Sequence, residues 1–299
     1  MSVSISRFST NPLLEVGGGV GLEENVNGPS VIRVPEWVNN PLGRYYLYFA
    51  HHEGETIRLA WANAVEGPYR VYEPGALHLQ DSFFPISRPG GVPDFFYAHI
   101  ASPDVHIIDD LHEIRMYFHG WHSDGRQLTR VATSRDGIRF DVREELLGPS
   151  YFRVFRRPDA WYALAMPGLL LRSEDGLSNF EPGPTLFNKD MRHSAVLQRG
   201  DTLHVFYTKA HDAPESILHA TIVMTGDWRH WQENASELVA SPEQPWEGVD
   251  EPVLASKRGA ILERVHQLRD PAVFEDQGVL YLFYSGGGEF ALGGARLML

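Results

Sequence analysis

The sequence predicts an all-β protein, a single five-bladed β-propeller, from two recurring patterns. A five-residue segment with valine in its fourth place occurs five times, as GPSVI at 28–32, SPDVH at 102–106, YFRVF at 151–155, HSAVL at 193–197 and DPAVF at 270–274. Each copy is followed by a second apolar, aromatic-rich run, in chain order YYLYFA, IRMYFHG, WYALAM, LHVFYTK and LYLFYSG. Five copies of a two-strand signature, spaced by about 40 to 80 residues, are typical of propeller blades.

The first four blades follow from the strand patterns and the turns between them. Blade one is predicted at about 28–75, with the turns NNPLG and EGP. Blade two is predicted at about 100–148, with the turns DDLHE and SRDG. Blade three is the shortest, at about 149–188, with LLLRSEDG as its third strand and turn. Blade four is predicted at about 191–242, with LHATIV as its third strand.

Blade five, at about 267–299, offers only three strand patterns, PAVFED, LYLFYSG and ALGGARLML. A closed propeller leaves no unpaired strand edge. The segment VSISRF has strand character and precedes blade one. We therefore expect residues 2–8 to add the fourth strand of blade five, so that the whole chain, 1–299, forms one domain. The long segment 243–266 is expected to be a functional or mobile loop.

Composition excludes several classes of function. The net charge is −13, with 26 Lys and Arg against 39 Asp and Glu and no Lys/Arg-rich run, so we expect neither nucleic acid nor a membrane as partner. Cysteine is absent, which excludes disulfides and thiolate chemistry. The sequence shows no signal-peptide pattern and no apolar run approaching about 18 residues, so we expect a cytoplasmic protein. The oligomeric state stays open.

A polar pocket is predicted on one face of the propeller. The start of each inner strand lies on the same face as the loop that joins the second and third strands of the blade. This rule collects polar residues, among them six of the 14 histidines, His51, His52, His119, His122, His193 and His211. The predicted substrate-binding residues are Asn27, His51, His52, Trp121, His122, Arg153, Arg192, His211, Arg269 and Glu289. Any one of them could instead satisfy blade backbone groups.

Asp104 and Asp270 are the candidate catalytic carboxylates. Each lies beside a proline at the start of an inner strand. Glycoside hydrolysis requires two carboxyl groups, and repulsion between them raises one pKa, which suits a proton donor. The alternative is that either aspartate caps a turn by accepting backbone N–H groups. Arg269 would hold Asp270 ionised or bind substrate hydroxyls.

The second proton-transfer group is less defined. His193 is a third catalytic candidate, because histidine titrates near neutrality. The loop glutamates are further candidates, namely Glu53, Glu251, Glu263 and Glu289. No HExxH-type spacing exists, and adjacent His51 and His52 would point to opposite sides of a strand, so no metal ligands are assigned and no cofactor is required. A structural calcium or sodium ion near the central channel stays open.

The repeats resemble the five-bladed propeller glycoside hydrolases over nearly the whole chain, above all family 43 and its relatives, families 32, 62, 68, 117 and 130. SPDVH resembles the second-blade motif whose aspartate tunes the pKa of the acid, which gives Asp104 that role. RHSAV at 192–196 resembles a later-blade motif whose histidine lies near the centre, here His193. RDP at 269–271 resembles the arginine–aspartate motif of the invertase-like families.

Two expected residues are missing from these motifs. Family 43 opens blade one with an aspartate–proline pair whose aspartate is the general base, whereas this chain has Gly28 and Pro29 after Asn27. Blade three should offer the glutamate that acts as the acid, but SYFRVFRR contains none. The resemblance therefore implies either that the roles have moved, to Asp270 and to His193 or a loop glutamate, or that the protein binds sugars without cleaving them.

The function hypothesis is a glycoside hydrolase-like enzyme that cleaves an oligosaccharide or small glycoside by acid/base catalysis with inversion. One alternative is a non-catalytic carbohydrate-binding propeller that uses the same pocket. Another alternative is a glycoside phosphorylase, in which phosphate would be bound by the basic residues Arg153, Arg192, Lys209 and Arg269. A scaffold that binds protein partners is a further alternative.

Overall fold

A computed structural model of the chain describes residues 3–22, 24–88 and 97–299. Within these ranges the protein has 22 β-strands in five antiparallel sheets, and the sheets form a ring. The predicted all-β, five-bladed propeller is therefore confirmed. Four short 3-10 turns interrupt the loops, at Leu79–Asp81, Asp109–Leu111, Trp228–His230 and Pro245–Glu247.

The strands follow the chain from the inner to the outer edge of each blade. Two short strands come first, β1 (Ser4–Arg7) and β2 (Leu14–Glu15). Blade one contains β3 (Asn27–Arg33), β4 (Tyr45–Ala50), β5 (Thr56–Ala62) and β6 (Arg70–His78). Blade two contains β7 (Ile100–Ile108), β8 (Glu113–Trp121) and β9 (Gln127–Ser134), with an outer edge divided into β10 (Asp141–Val142) and β11 (Gly148–Pro149).

The remaining blades repeat this order. Blade three contains β12 (Arg153–Arg156), β13 (Trp161–Ala165), β14 (Leu169–Ser173) and β15 (Glu181–Thr185). Blade four contains β16 (Met191–Arg199), β17 (Thr202–Lys209), β18 (Ile217–Val223) and β19 (Glu237–Ala240). Blade five contains β20 (Leu268–Asp276), β21 (Val279–Gly286) and β22 (Ala291–Met298).

The N-terminal strand closes the ring, as the sequence predicted. β1 pairs antiparallel with β22, from Ser4 opposite Met298 to Arg7 opposite Ala295. β2 pairs with the other end of β22. The predicted strand 2–8 begins at residue 2, which lies outside the described residues. Because β1 occupies the outer edge of blade five, that edge has no open hydrogen-bonding row along the paired residues.

The apolar core is divided among the five interfaces between adjacent blades. Each interface contains one cluster of buried side chains, rich in aromatic residues. Between blades one and two, for example, Tyr48 and Phe118 are both almost fully buried. Burial of this kind is the main favourable term in folding, so the core holds neighbouring blades at a fixed angle around the channel.

The five inner strands share an unusual backbone feature at the first place of the repeat. The first-place residues are Gly28, Ser102, Tyr151, His193 and Asp270, and their φ angles are 58°, 53°, 66°, 41° and 50°. In four of the blades the register between the inner and second strands shifts at this place. Such bulges re-aim a side chain, and left-handed backbone at non-glycine residues is typical of functional sites.

No helix within the described residues is long and apolar enough to cross a membrane.

Candidate active site

Two cavities occupy the central channel, and the position of a residue along its inner strand decides which cavity it lines. The first-place residues Ser102, Tyr151, His193 and Asp270 line a cavity of about 780 Å³, which we call the site cavity. Residues further along the inner strands line a second cavity of about 450 Å³, the rear cavity. The loop 243–266 contributes Arg258, Gly259 and Ala260 to the wall of the site cavity.

The structure brings six of the predicted site residues together. Those that line the site cavity are Asn27, His52, Trp121, Arg192, His193 and Asp270. Arg269 and Glu289 are fully buried behind them and contact several of them. Three predicted histidines have partners elsewhere: His51 lies 3.3 Å from Glu24, His122 lies 3.1 Å from Asp124, and His211 is exposed, 4.0 Å from Asp190.

Asp270 is a buried carboxyl group in the site cavity, with only 3% of its surface exposed. The Tyr151 hydroxyl donates to its Oδ1 at 2.7 Å, and the Ser285 hydroxyl lies 3.4 Å from Oδ2. Burial raises the pKa of Asp270, and the negative charge of Glu289 raises it further. A carboxyl group with a raised pKa at the edge of a cavity has the properties of a general acid.

Glu289 is the ionised counterpart of Asp270. Burial alone would raise the pKa of Glu289. The pKa is nevertheless held well below the usual range, because Glu289 lies beside the charge of His52, shares a hydrogen bond with His52 and lies beside the charge of Arg269. Its carboxylate accepts from Arg269 at 2.9 Å and from Asn27 at 3.1 Å, and it lies 3.1 Å from His52 Nδ1. Asn25 donates to it at 2.8 Å. Glu289 therefore fixes Asn27 and His52 in the cavity wall.

His193 contacts Asp270 from the neighbouring blade. Its Nδ1 lies 3.7 Å from Asp270 Oδ1, and its Nε2 lies 2.8 Å from Arg192 Nη2. Burial lowers the pKa of His193 well below its ordinary value, and the charges of Arg192 and Arg269 lower it further. The imidazole is therefore uncharged near neutral pH. This geometry favours Asp270 over His193 as the proton donor.

Asp104 and Arg153 line the rear cavity, away from Asp270. Asp104 accepts from the Val154 backbone N–H at 2.8 Å and lies 2.7 Å from His106 Nε2. Burial would raise the pKa of Asp104, but His106 and Arg153 lower it below the ordinary value. The structure therefore does not pair Asp104 with Asp270. Asp104 stands two residues beyond the first place, about 7 Å further along an extended strand.

Arg153 of blade three contacts both neighbouring blades near the channel axis, through the Ser194 and Ser102 carbonyls. Its Nε donates to the Ser194 carbonyl at 2.7 Å, and its Nη1 donates to the Phe152 carbonyl at 2.9 Å. The guanidinium lies 4.1 Å from the centre of the Tyr151 ring. These contacts tie blade three to blade four at the axis and place the Tyr151 hydroxyl against Asp270.

Aromatic and imidazole rings lie on one side of the site cavity, where Tyr97, His119 and Trp121 line it and the fully buried His99 packs behind them. Successive ring centres lie 4.9 Å apart for Tyr97 and His99, 5.8 Å for His99 and His119, and 6.0 Å for His99 and Trp121. Burial lowers the pKa of His99 to about 3 and that of His119 well below its ordinary value. An uncharged wall of rings, with Tyr151 beside it, suits the apolar face of a sugar ring.

Several of these residues were missed at the sequence level. Tyr151 stands at the start of an inner strand, where the polar pocket was predicted, but no role in the site was assigned to it. Tyr97 and His99 precede the first strand of blade two and carry no pattern. Glu215, in the loop before β18, is fully buried beside Arg192, Arg269 and His193. No spacing or motif points to it.

The described residues contain no group of three or more His, Asp or Glu side chains placed to hold a metal ion. We therefore assign no step to a metal, and the structural calcium or sodium ion stays a prediction.

Comparison with known proteins gives a relative and a fold. No protein-family profile matches the chain. A protein of Acanthamoeba polyphaga mimivirus, "Uncharacterized protein R118", is 34% identical over 325 residues, covering 98% of this chain and 90% of that protein. CoXyl43, a family 43 β-xylosidase/α-arabinofuranosidase from a compost microbial metagenome solved with xylotriose in a calcium-free form, has a TM-score of 0.64 and 12% identity, covering 98% and 95% of the two chains.

A family 43 glycoside hydrolase from Xanthomonas citri has a TM-score of 0.62 and 12% identity, covering 95% of this chain and 89% of its own. Likeness at such identities shows the fold, and it confirms the resemblance to the five-bladed propeller glycoside hydrolases. The chain thus belongs to the family of the mimiviral protein R118, and its fold is that of family 43 glycoside hydrolases and their relatives.

Proposed function

We propose that the protein is a glycoside hydrolase that cleaves a glycosidic bond in an oligosaccharide or small glycoside by acid/base catalysis. The observation that carries this proposal is Asp270, a buried carboxyl group with a raised pKa at the wall of a 780 Å³ cavity. The fold supports it, because solved structures with this fold include glycoside hydrolases, one of them with xylotriose bound.

In this mechanism Asp270 is the general acid. It transfers its proton to the glycosidic oxygen while the bond between that oxygen and the anomeric carbon breaks. The Tyr151 hydroxyl, 2.7 Å from Oδ1, then donates to the carboxylate that remains. Among the described residues that line the site cavity, Glu53 is the other carboxylate, and it is exposed. Glu53 accepts a proton from the water that attacks the anomeric carbon, and the product forms with inversion.

The substrate of this proposal is a neutral sugar. The ring wall would contact its apolar face, and Asn27 and His52, both held by Glu289, would contact its hydroxyl groups. The arginines of the cavity wall are already engaged. Arg192 donates to His193 and, at 2.8 Å, to the Lys257 carbonyl, and Arg258 donates to the Lys189 carbonyl and lies 3.8 Å from Asp190. This engagement disfavours the phosphorylase alternative.

A non-catalytic sugar-binding protein is the second candidate, and one observation favours it. Of the five first-place residues, only Asp270 is a carboxylate, and glycine stands at the blade-one position. In this alternative the cavity binds the same neutral sugars, and the raised pKa of Asp270 only makes it a hydrogen-bond donor.

Hydrolysis of a panel of aryl glycosides and xylo- and arabino-oligosaccharides tests the proposal. Asp270→Asn is the main variant, because asparagine tolerates left-handed backbone and cannot donate the proton. We expect its kcat to fall by about 10²- to 10⁴-fold, and we expect a loss of similar size in Glu53→Gln. Asp141→Asn, a matched change on the outer strand of blade two, should retain wild-type turnover. Proton NMR of the first product anomer tests inversion.

Three outcomes separate the hypotheses. Wild-type turnover that survives in Asp270→Asn and falls in Asp104→Asn would return the catalytic role to the rear cavity. Sugar binding by calorimetry without turnover of any substrate would favour the binding protein. Neither binding nor turnover would contradict both.

A further inference from the structure

We propose that Arg192 and Glu215 lock His193 as the uncharged tautomer protonated at Nδ1, so that this N–H stabilises the carboxylate of Asp270. The use of that N–H rests on the proposed function, whereas the tautomer itself does not. Glu215 is thereby assigned as a positioning residue, acting through Arg192 and His193.

The tautomer follows from the contacts of Nε2. Arg192 Nε donates to His193 Nε2 at 3.1 Å, and Arg192 Nη2 lies 2.8 Å from the same atom. A guanidinium has only donors, so Nε2 must offer its lone pair. A proton on Nε2 would place this N–H group against the N–H groups of Arg192. Water could not relieve the conflict, because Arg192 and His193 are each at least 95% buried. The single proton of the neutral ring is therefore on Nδ1.

The charge state of His193 agrees with this assignment. Burial and the two neighbouring guanidinium groups, of Arg192 and Arg269, hold its pKa far below the ordinary value. A second proton is excluded at Nε2 by the same contacts with Arg192. His193 is thus a fixed hydrogen-bond donor at Nδ1 and does not gain or lose a proton near neutral pH.

The Nδ1–H group faces two carboxyl groups and has no hydrogen-bond partner among the described residues. Asp270 Oδ1 lies 3.7 Å from Nδ1, and Glu215 Oε1 lies 3.9 Å from it. Both distances are slightly longer than a hydrogen bond. When Asp270 gives up its proton, its new negative charge attracts this donor. The hydrogen bond is therefore stronger after proton transfer than before it, which is the condition for a contribution to rate.

Glu215 is the charge that holds the arrangement together. It is fully buried, and neither carboxylate oxygen has a hydrogen-bond partner among the described residues. Its oxygens lie 3.5 Å from Arg269 Nε and 3.7 Å from Arg192 Nε. Without Glu215, the two buried guanidinium groups would repel each other, since the charge of Arg269 acts to lower the pKa of Arg192. The carboxylate therefore keeps Arg192 facing His193 Nε2.

The same arginines connect Glu215 to the cavity wall. Arg192 Nη1 donates to the Lys257 carbonyl at 2.8 Å, and Arg269 Nη1 donates to the Gly259 carbonyl at 3.3 Å. Gly259 is part of the wall of the site cavity, but Glu215 does not line the cavity. Glu215 thus acts on the site without touching a ligand there.

Nitrogen-15 NMR of protein with labelled histidine reads the tautomer directly, in the full chain and without substrate. The His193 signals are assigned by their loss in His193→Asn, in which asparagine accepts the left-handed backbone. In the wild type we expect a protonated Nδ1 and an unprotonated Nε2 from about pH 5 to pH 8, where an ordinary histidine titrates. Arg192→Met should move the proton toward Nε2, and Glu215→Gln should shift the tautomer population in the same direction.

Glu237→Gln is the matched control, because it changes the carboxylate beside His219 in the same blade, 3.2 Å from Nδ1. It should leave the His193 signals unchanged. A wild-type His193 that is charged, or protonated at Nε2, overturns the proposal. An unchanged tautomer in a folded Glu215→Gln variant, checked by circular dichroism, overturns the role of Glu215. If Arg192→Met does not fold, the His193 tautomer measured in the wild type and in the isosteric Glu215→Gln variant still tests the proposal.

Kinetics then separate this proposal from the hydrolase proposal. Where the wild type turns over a glycoside, Glu215→Gln should lower kcat by up to about 100-fold and leave KM nearly unchanged. Absence of wild-type turnover contradicts the hydrolase but leaves the tautomer measurement intact. A wild-type kcat in Glu215→Gln would contradict the positioning role even where the hydrolase proposal holds.

Discussion

At the scale of single residues, Asp270 is placed where it lowers stability at neutral pH. Burial raises its pKa in the folded state, so folding favours the protonated form. Its stabilising contribution is complete below the pKa of the unfolded chain, about 3.9, and is lost as pH rises through the higher folded pKa. In Asp270→Asn the side chain cannot ionise, so this loss of stability at higher pH does not occur. We expect its Tm to exceed that of the wild type by more at pH 8 than at pH 4, by a few degrees. Calorimetry at both pH values measures the difference, and a difference independent of pH would contradict the raised pKa.

Gly28 occupies the blade-one first place, where the backbone leaves little room for a side chain. A Cβ at Gly28 would lie 3.2 Å from Ser102 Cα of the neighbouring blade, and the φ angle is 58°. Gly200 has a similar φ of 55° but no atom within 4 Å of such a Cβ. Gly200→Ala should therefore cost only the backbone term, about 1–2 kcal/mol. We expect Gly28→Ala to cost at least about 1 kcal/mol more in urea unfolding, because blades one and two must separate. Equal losses of unfolding free energy in the two variants would show that blades one and two can move apart at Gly28 at no cost.

The candidate site was only partly predictable from the sequence, and the reasons lie in particular residues. Asp270, His193 and Arg192 line the site cavity, as expected of residues at the start of inner strands. Asp104 was grouped with them by the same reasoning, but the bulge at Ser102 and two further residues carry it to the rear cavity. Glu215 could not be found, because its role depends on three side chains from two blades that only the fold brings together.

At the scale of elements, the repeated inner strand was the most predictable part of the fold. Its valine-containing segment and the following aromatic run correspond to the first two strands of each blade. The left-handed residue at the first place was not predicted, because serine, tyrosine, histidine and aspartate give no common sequence signal for it. In four blades this conformation coincides with a register shift between the inner and second strands, and the four non-glycine first-place side chains line the site cavity.

Blade four contains a pair of histidines, away from the site cavity, that links stability to pH. His204 Nδ1 on β17 lies 3.0 Å from His219 Nε2 on β18, and His219 Nδ1 lies 3.2 Å from Glu237. Burial lowers the pKa of both histidines, so the folded state favours the neutral forms. Their contribution is present above the unfolded pKa of about 6.5 and is lost as pH falls below it toward the folded values.

A single substitution tests this link. In His204→Gln one of the two lowered pKa values is removed, so we expect Tm to fall less between about pH 7.5 and pH 5 than in the wild type. His230→Gln, a change at an exposed position in the same blade, should leave the wild-type dependence unaltered. A His204→Gln curve that is parallel to the wild-type curve would show that the pair does not contribute. Differential scanning fluorimetry across the pH range is sufficient for the comparison.

At the scale of the whole molecule, stability depends on how the N-terminal strand joins the last blade. The pairing of β1 with β22 is reinforced by Arg7, whose Nε lies 2.7 Å from Glu247 Oε1 and whose Nη2 donates to the Ser241 carbonyl at 2.7 Å. Glu247 is fully buried, and Tyr284 donates to the same oxygen at 2.7 Å. One arginine thus connects the first strand of the chain, the loop after blade four and blade five.

Arg7→Met tests whether this connection holds the ring closed. The substitution keeps much of the apolar stem but leaves the buried Glu247 carboxylate without a cation, which costs about 3–5 kcal/mol when a buried pair is broken. Arg33 also bridges two blades, 2.9 Å from Asp276, but its side chain is 39% exposed. Arg33→Met should therefore cost much less than Arg7→Met, because solvent screens this ion pair. Urea unfolding of both variants measures the contrast. A large loss in Arg7→Met alone would show that ring closure depends on a charge buried at the junction, whereas similar small losses would assign closure to the strand pairing itself.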